Sequence, residues 1–152
     1  MNYIDRIISN CKEAKKAKPI REFVLNQNDL SELYGIKKAI YIIEQISGDP
    51  EKTFNKLEEY KATKERACPA LNQPSNIMYV GSSTTGIKNR IKQHIGSEAK
   101  QTYSLHLSKW FDGDYKITIK EYDCSREIIQ LIEDDLSDRL KPAFGKQGGN
   151  NK

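Results

Sequence analysis

The stretch 77–94, Ile-Met-Tyr-Val-Gly-Ser-Ser-Thr-Thr-Gly-Ile-Lys-Asn-Arg-Ile-Lys-Gln-His, constrains the fold of this chain most. It reads as a short apolar strand over 77–80, a glycine- and hydroxyl-rich turn, and then a basic helix, an order suited to holding a phosphate near a strand end. At about 100° per residue, Ile87, Ile91 and Ile95 form one apolar stripe, and Arg90 and His94 sit together along its edge. Lys88, Asn89, Lys92 and Gln93 take the solvated faces. A helix charged only for solubility would scatter its charges. A guanidinium and an imidazole aligned beside a buried stripe point instead to a site.

The other elements follow from periodicity and punctuation. Ile4, Ile7, Ile8 and Cys11, with lysines opposite, predict an amphipathic helix over 3–16, ended by Pro19. Asn28 or Asp29 caps a short helix that buries Leu30 and Leu33 and stops at Gly35. Residues 39–46 contain Ile-Tyr-Ile-Ile and form the first strand, closed by Gly48 and Pro50. Asp49-Pro50-Glu51 supplies a cap, a proline at the first helical position and an acid at the positive end of a helix that runs to about residue 66. Thr102 is expected to cap another helix, anchored by Leu105, Trp110 and Phe111. Residues 115–122 alternate as a half-buried third strand.

The last helix starts near Ser125 and buries Ile129, Ile132, Leu136 and Leu140. Asp134, Asp135 and Asp138 point away from that stripe, whereas Glu133 falls about 20° from Leu140. A carboxylate so placed needs a partner, and a metal ion or Arg90 would serve.

Composition removes several classes. No apolar run approaches the roughly 18 residues of a membrane span, and lysines crowd the first helix where a signal peptide would be apolar, so a cytoplasmic protein with no membrane partner is expected. Cys11, Cys68 and Cys124 are too scattered for a disulfide framework or a zinc site. Residues 76–109 carry five basic and one acidic side chain, residues 110–138 three basic and nine acidic, and the chain from Arg139 onward four basic and none acidic. Adjacent surfaces of opposite sign suit a polyanion held around a cation.

Ala39-Ile40-Tyr41, then Tyr79-Val80-Gly81, then Arg90 with His94, then Glu133 before Pro142, taken in that order, resemble the GIY-YIG nuclease superfamily. The resemblance implies an α+β fold, a small central three-stranded antiparallel sheet flanked by helices. Residues 38–145 would be the nuclease domain, with an inserted helix and loop over 47–75. They would be preceded by an N-terminal helical extension over 1–37 and followed by a flexible basic tail over 146–152. It further implies a metal-dependent endonuclease acting on DNA, with RNA as an alternative, as a monomer or homodimer. Tyr41 would be the general base and Tyr79 would bind water or phosphate beside it. His94 is the alternative proton acceptor, or it orients Tyr41 or the phosphate. Arg90 offers a planar fork to two phosphoryl oxygens, and Glu133 an oxygen ligand for Mg²⁺ or Mn²⁺. Ser82, Ser83, Lys88 and Lys92 are candidate nucleic-acid contacts.

Three departures stand out: Ala39 replaces the first glycine, the two signatures stand much farther apart than in compact members, and Gly145 stands where the family has an asparagine, for which Asn150 and Asn151 are the candidate substitutes. Two other readings are a nucleic-acid-binding module with little or no cleavage and a protein-interaction domain that uses the inserted helix.

Overall fold

A computed structural model of the chain describes residues 2–96 and 100–146. In chain order the elements are α1 (Tyr3–Lys16), β1 (Arg21–Val24), a 3₁₀ turn (Leu30–Leu33), β2 (Ala39–Gln45), α2 (Pro50–Ala62), β3 (Ile77–Ser83), α3 (Ile87–Ile95), α4 (Leu107–Trp110), β4 (Tyr115–Glu121) and α5 (Arg126–Leu140). The strands form one antiparallel sheet in the order β1-β4-β2-β3.

Four strands, not three, make the sheet. The additional one is Arg21-Glu-Phe-Val24, which pairs with β4 at the outer edge. Its side chains are exposed or half-exposed, so the sequence has no buried alternation there to announce a strand. The ladder itself and the Lys120–Glu22 ion pair hold it. The glycine-rich turn also begins later than expected, because β3 continues through Gly81 and Ser82 to Ser83, which pairs with Ala39.

Side-chain alternation along β2 divides the interior. Ala39, Tyr41 and Ile43 join a cluster with Leu57 of α2, Ile87 and Ile91 of α3, and Leu107 of α4. Ile40 and Ile42 face the other way, toward Ile129, Ile132 and Leu136 of α5. The period of two thus separates two helical layers on one strand. The Ala39 methyl group is fully buried in the first cluster, which shows how alanine is accommodated in place of glycine.

Between Ile43 and Glu44 the pairing shifts, since Ile43 faces Tyr79 but Glu44 faces Ile77. Met78 is the extra residue of this bulge, and it turns into the same cluster as Tyr79. On the free side of β3, Ala143 and Phe144 donate their backbone N–H groups to Ile77 and Met78 oxygens at 2.8 and 3.0 Å. The chain after α5 is therefore laid along the edge of β3. Asn72 fixes the turn that follows by donating to the Pro142 and Gly145 oxygens at 3.1 and 2.7 Å.

Helix boundaries obey the local signals. Asp49 caps α2, Ser125 caps α5 and Asp29 caps the 3₁₀ turn. Thr102 caps no helix: residues 102–106 form a loop, and α4 begins only after His106, which is buried with left-handed backbone. Leu105 is nevertheless buried, with Trp110 and Phe111 packed against the core.

Candidate active site

Tyr41 and Gly81 are direct partners across β2 and β3. The Tyr41 and Tyr79 rings stack nearly parallel, 7° apart in plane, with centroids 6.1 Å apart. Both rings crowd the Gly81 backbone: a Cβ there would lie 2.6 Å from Tyr41 Cζ and 2.9 Å from Tyr79 Cε1. Glycine at 81 is thus what lets two tyrosines converge. Gly145 serves the same ring from the opposite side, with φ at +90° and Tyr79 Cε2 only 2.8 Å from where its Cβ would be. An asparagine at that position would collide with Tyr79.

The α3 helix delivers the next two groups. His94 is wholly buried, and its Nε2 is 2.9 Å from the Tyr41 hydroxyl. Its other nitrogen, Nδ1, accepts the Leu105 backbone N–H at 3.0 Å. An acceptor at Nδ1 must be unprotonated, so the neutral ring carries its proton on Nε2 and donates it to Tyr41. Burial, with Arg90 and His106 nearby, pushes the His94 pKa well below the ordinary value, consistent with a neutral ring. Arg90 donates to the Tyr79 hydroxyl at 3.1 Å, to the Tyr103 backbone oxygen at 2.8 Å and to Gln93 at 2.9 Å. Burial opposes its charge, but Tyr41 and Tyr79 outweigh that, and its pKa stands above the usual value. Tyr41 shows the opposite balance: burial and Tyr79 raise its pKa well above the ordinary phenol although Arg90 pulls it down.

From the other helical layer, α5 brings Glu133, which is 3% exposed although it is a carboxylate. Its partner is Lys146 rather than Arg90, with Nζ 2.7 Å from Oε2. Gln130 donates to the same oxygen at 3.2 Å. Lys146 also lies 3.6 Å from Asp134, so Asp134 is drawn toward this side of α5 and is not purely solvated. Burial works against the Lys146 charge, but Glu133 and Asp134 raise its pKa above the ordinary lysine value.

Tyr41, Tyr79, Ser82, Arg90, Glu133 and Lys146 line one cleft of about 460 Å³. Because β3 is the outer strand, side chains from both layers reach this cleft around it. His94 stands behind Tyr41 and is not part of the lining. Ser83 and Lys88 line a second cleft beside it, and Lys92 lines neither. Ser83 Oγ donates to the Gly86 oxygen at 2.9 Å and is committed to the turn.

A family model, the GIY-YIG catalytic domain, matches residues 70–147, just over half of the chain. The chain belongs to the GIY-YIG family. No curated protein and no solved structure matches it.

The match begins after the first of the two tyrosines, and α2 and its loop lie between them. The β2–β3 pairing sets Tyr41 opposite Gly81, beside Tyr79 and Val80. Lys146, the Tyr103 oxygen and the Leu105 N–H are site groups that side-chain pattern does not reveal. Two of them are backbone atoms, and the third lies past the last helix in a stretch read as a tail. Residues 147–152 of that stretch, including Asn150 and Asn151, lie outside the described residues. No helix among the described residues is long and apolar enough to cross a membrane.

Among the described residues no three His, Cys, Asp or Glu side chains gather to hold a metal ion. A hard cation here would have Glu133 as its one carboxylate and would keep most of its water, which fits Mg²⁺ better than a metal that demands a full protein cage. The buried Glu133 already draws a cation to itself in the form of Lys146. The donor chemistry therefore fits a divalent ion, provided the lysine gives way.

Proposed function

We propose that this protein is a metal-dependent endonuclease that hydrolyses DNA phosphodiester bonds in the Tyr41–Glu133 cleft. The observation that carries this reading is the direction of the Tyr41–His94 hydrogen bond. Since His94 Nδ1 is occupied by the Leu105 N–H, His94 cannot take a proton from water; its Nε2–H supports negative charge on the Tyr41 oxygen. Tyr41 is then the proton acceptor and His94 the group that orients and stabilises it.

Burial keeps the Tyr41 phenol protonated in the free protein, so it becomes a base only where positive charge outweighs burial. Arg90 already pulls in that direction. Its guanidinium, held by Tyr79, Gln93 and the Tyr103 oxygen, fixes a positive charge where negative charge grows on the phosphoryl oxygens. Glu133 would hold the divalent cation. When bound, that cation neutralises the phosphate and eases departure of the 3′ oxygen.

A binding module without cleavage is the second reading, favoured by one observation: Lys146 already neutralises Glu133 at 2.7 Å. A supercoiled-plasmid assay with Mg²⁺, with and without chelator, separates the two. Chelator-sensitive nicking that is lost in Glu133→Gln supports the nuclease. Salt-sensitive DNA retention with no nicking at any Mg²⁺ supports the binding module. One cleft cuts one strand at a time, so nicked circles are expected before linear product.

A further inference from the structure

Arg90 lines both clefts, and an exposed tyrosine stands on each side of it. Tyr34, 73% exposed, lines the cleft of about 490 Å³ beside α3; Tyr103, 69% exposed, lines the cleft that holds Tyr41. They are the two most exposed large hydrophobic side chains among the described residues. Rings left so open contribute little to the core, and their position invites another explanation.

The second cleft has a one-sided charge. Lys37, Lys88 and Arg90 line it and no carboxylate does. The Lys88 ammonium sits 3.9 Å from the Tyr34 ring centroid. Asp29, whose pKa is lowered first by hydrogen bonds from Ser31 and only to a lesser degree by Lys88, lies outside the lining. Lys88 covers one face of Tyr34, yet the residue stays 73% exposed; cations around a ring still so open match a nucleic acid strand, whose phosphates need the former and whose bases stack on the latter. Bases inside a duplex are stacked on one another and offer no free face; unpaired bases do.

We infer that the Tyr34–Lys88 cleft binds unpaired nucleotides next to the scissile phosphate, so that the preferred substrate has a single-stranded segment at the cleavage point. This rests on the reading of the Tyr41–Glu133 cleft as a phosphodiester site. Tyr34 stacks on a base, Lys37 and Lys88 neutralise the phosphates on either side, and Arg90 hands the strand to the cleavage cleft. Tyr103 receives the strand beyond it.

The test pairs a cleavage ratio with a binding measurement. Cleavage of a duplex bearing a single-stranded flap is compared with cleavage of the same sequence fully paired. In parallel, Glu133→Gln protein is titrated with the flap DNA carrying 2-aminopurine beside the junction. The expected results are a preference of at least about tenfold for the flap and quenching of the fluorescent base on binding. Tyr34→Ala should abolish both and Tyr34→Phe should retain both. Equal cleavage of the two substrates, or a preference and quenching unchanged in Tyr34→Ala, overturns this inference while leaving the nuclease reading intact. Tyr34-dependent quenching with no cleavage of any DNA sustains the cleft and defeats the nuclease reading. Failure to bind either DNA defeats both and points to a protein ligand for the exposed tyrosines.

Discussion

On the α3 side of the cleft, Tyr41, Tyr79, Arg90 and His94 are tied to one another and to the 103–105 backbone by hydrogen bonds of 2.8 to 3.1 Å. On the α5 side, Glu133 faces a lysine at the end of a flexible stem, 26% exposed, which arrives from beyond the last helix. The first wall is preorganised; the second is an ion pair that can exchange one cation for another. On the proposed reading, the fixed wall is the one that would hold the base and the phosphate-binding guanidinium ready, and the site would be complete once a divalent cation replaced Lys146 on Glu133.

If the fixed wall holds the chemistry, the largest effect belongs to Tyr41→Phe. The ring still fills its buried place, so the protein should remain folded while nicking falls by about 10²–10⁴-fold, the range for loss of a positioned acid–base group. Arg90→Lys keeps charge but loses the fork. It should cost about 10²-fold in rate, as loss of one transition-state donor does, and plasmid kinetics beside unchanged circular dichroism would show it.

Gly81→Ala attacks the same wall through packing. A methyl group would meet the Tyr41 and Tyr79 rings, so the urea midpoint should fall by the equivalent of about 1–3 kcal/mol. An unchanged midpoint would mean that the rings are not held as described.

The fixed wall also makes a pH prediction. His94 has a folded-state pKa well below the unfolded value of about 6.5, so the unfolded chain binds a proton more readily. Its contribution to stability is complete above about pH 6.5 and is lost as pH falls toward the folded pKa. His94→Gln should flatten that acid limb of stability against pH in urea titrations.

The exchangeable wall predicts the smallest change. Lys146→Met keeps the stem and removes the charge, and half-maximal nicking should need about threefold less Mg²⁺, on the scale of a modest screened ion pair. A higher requirement would make Lys146 a helper of the cation instead of its competitor.

The two walls also differ in how far the sequence discloses them. Arg90 and His94 are four apart beside an isoleucine stripe, and Glu133 sits beside Leu140 on its helix, so helical period alone places them near the interior. Tyr41 and Tyr79 are placed by strand pairing, for which period two and the resemblance to GIY-YIG nucleases suffice. What pattern cannot disclose is the partner of Glu133. Lys146 follows Ala143 and Phe144, which bond to β3, and Gly145, whose N–H goes to the Ala70 oxygen, with Asn72 holding the Pro142 and Gly145 oxygens, a tertiary arrangement without a local signal. Strand β1 escapes for a related reason, since its four residues are fixed by the ladder and not by apolar alternation. The His94 tautomer depends on a backbone N–H eleven residues away in a loop, where a capped helix was the sequence expectation.

In the proposed reaction Tyr41, supported by the His94 Nε2–H, accepts the proton of the attacking water. The initial rate of Mg²⁺-dependent plasmid nicking by Tyr41→Phe, beside the parent protein and with circular dichroism matched, tests it most directly. The expected rate is at least about a hundredfold below the parent. A Tyr41→Phe protein that nicks within a few-fold of the parent rate would contradict it.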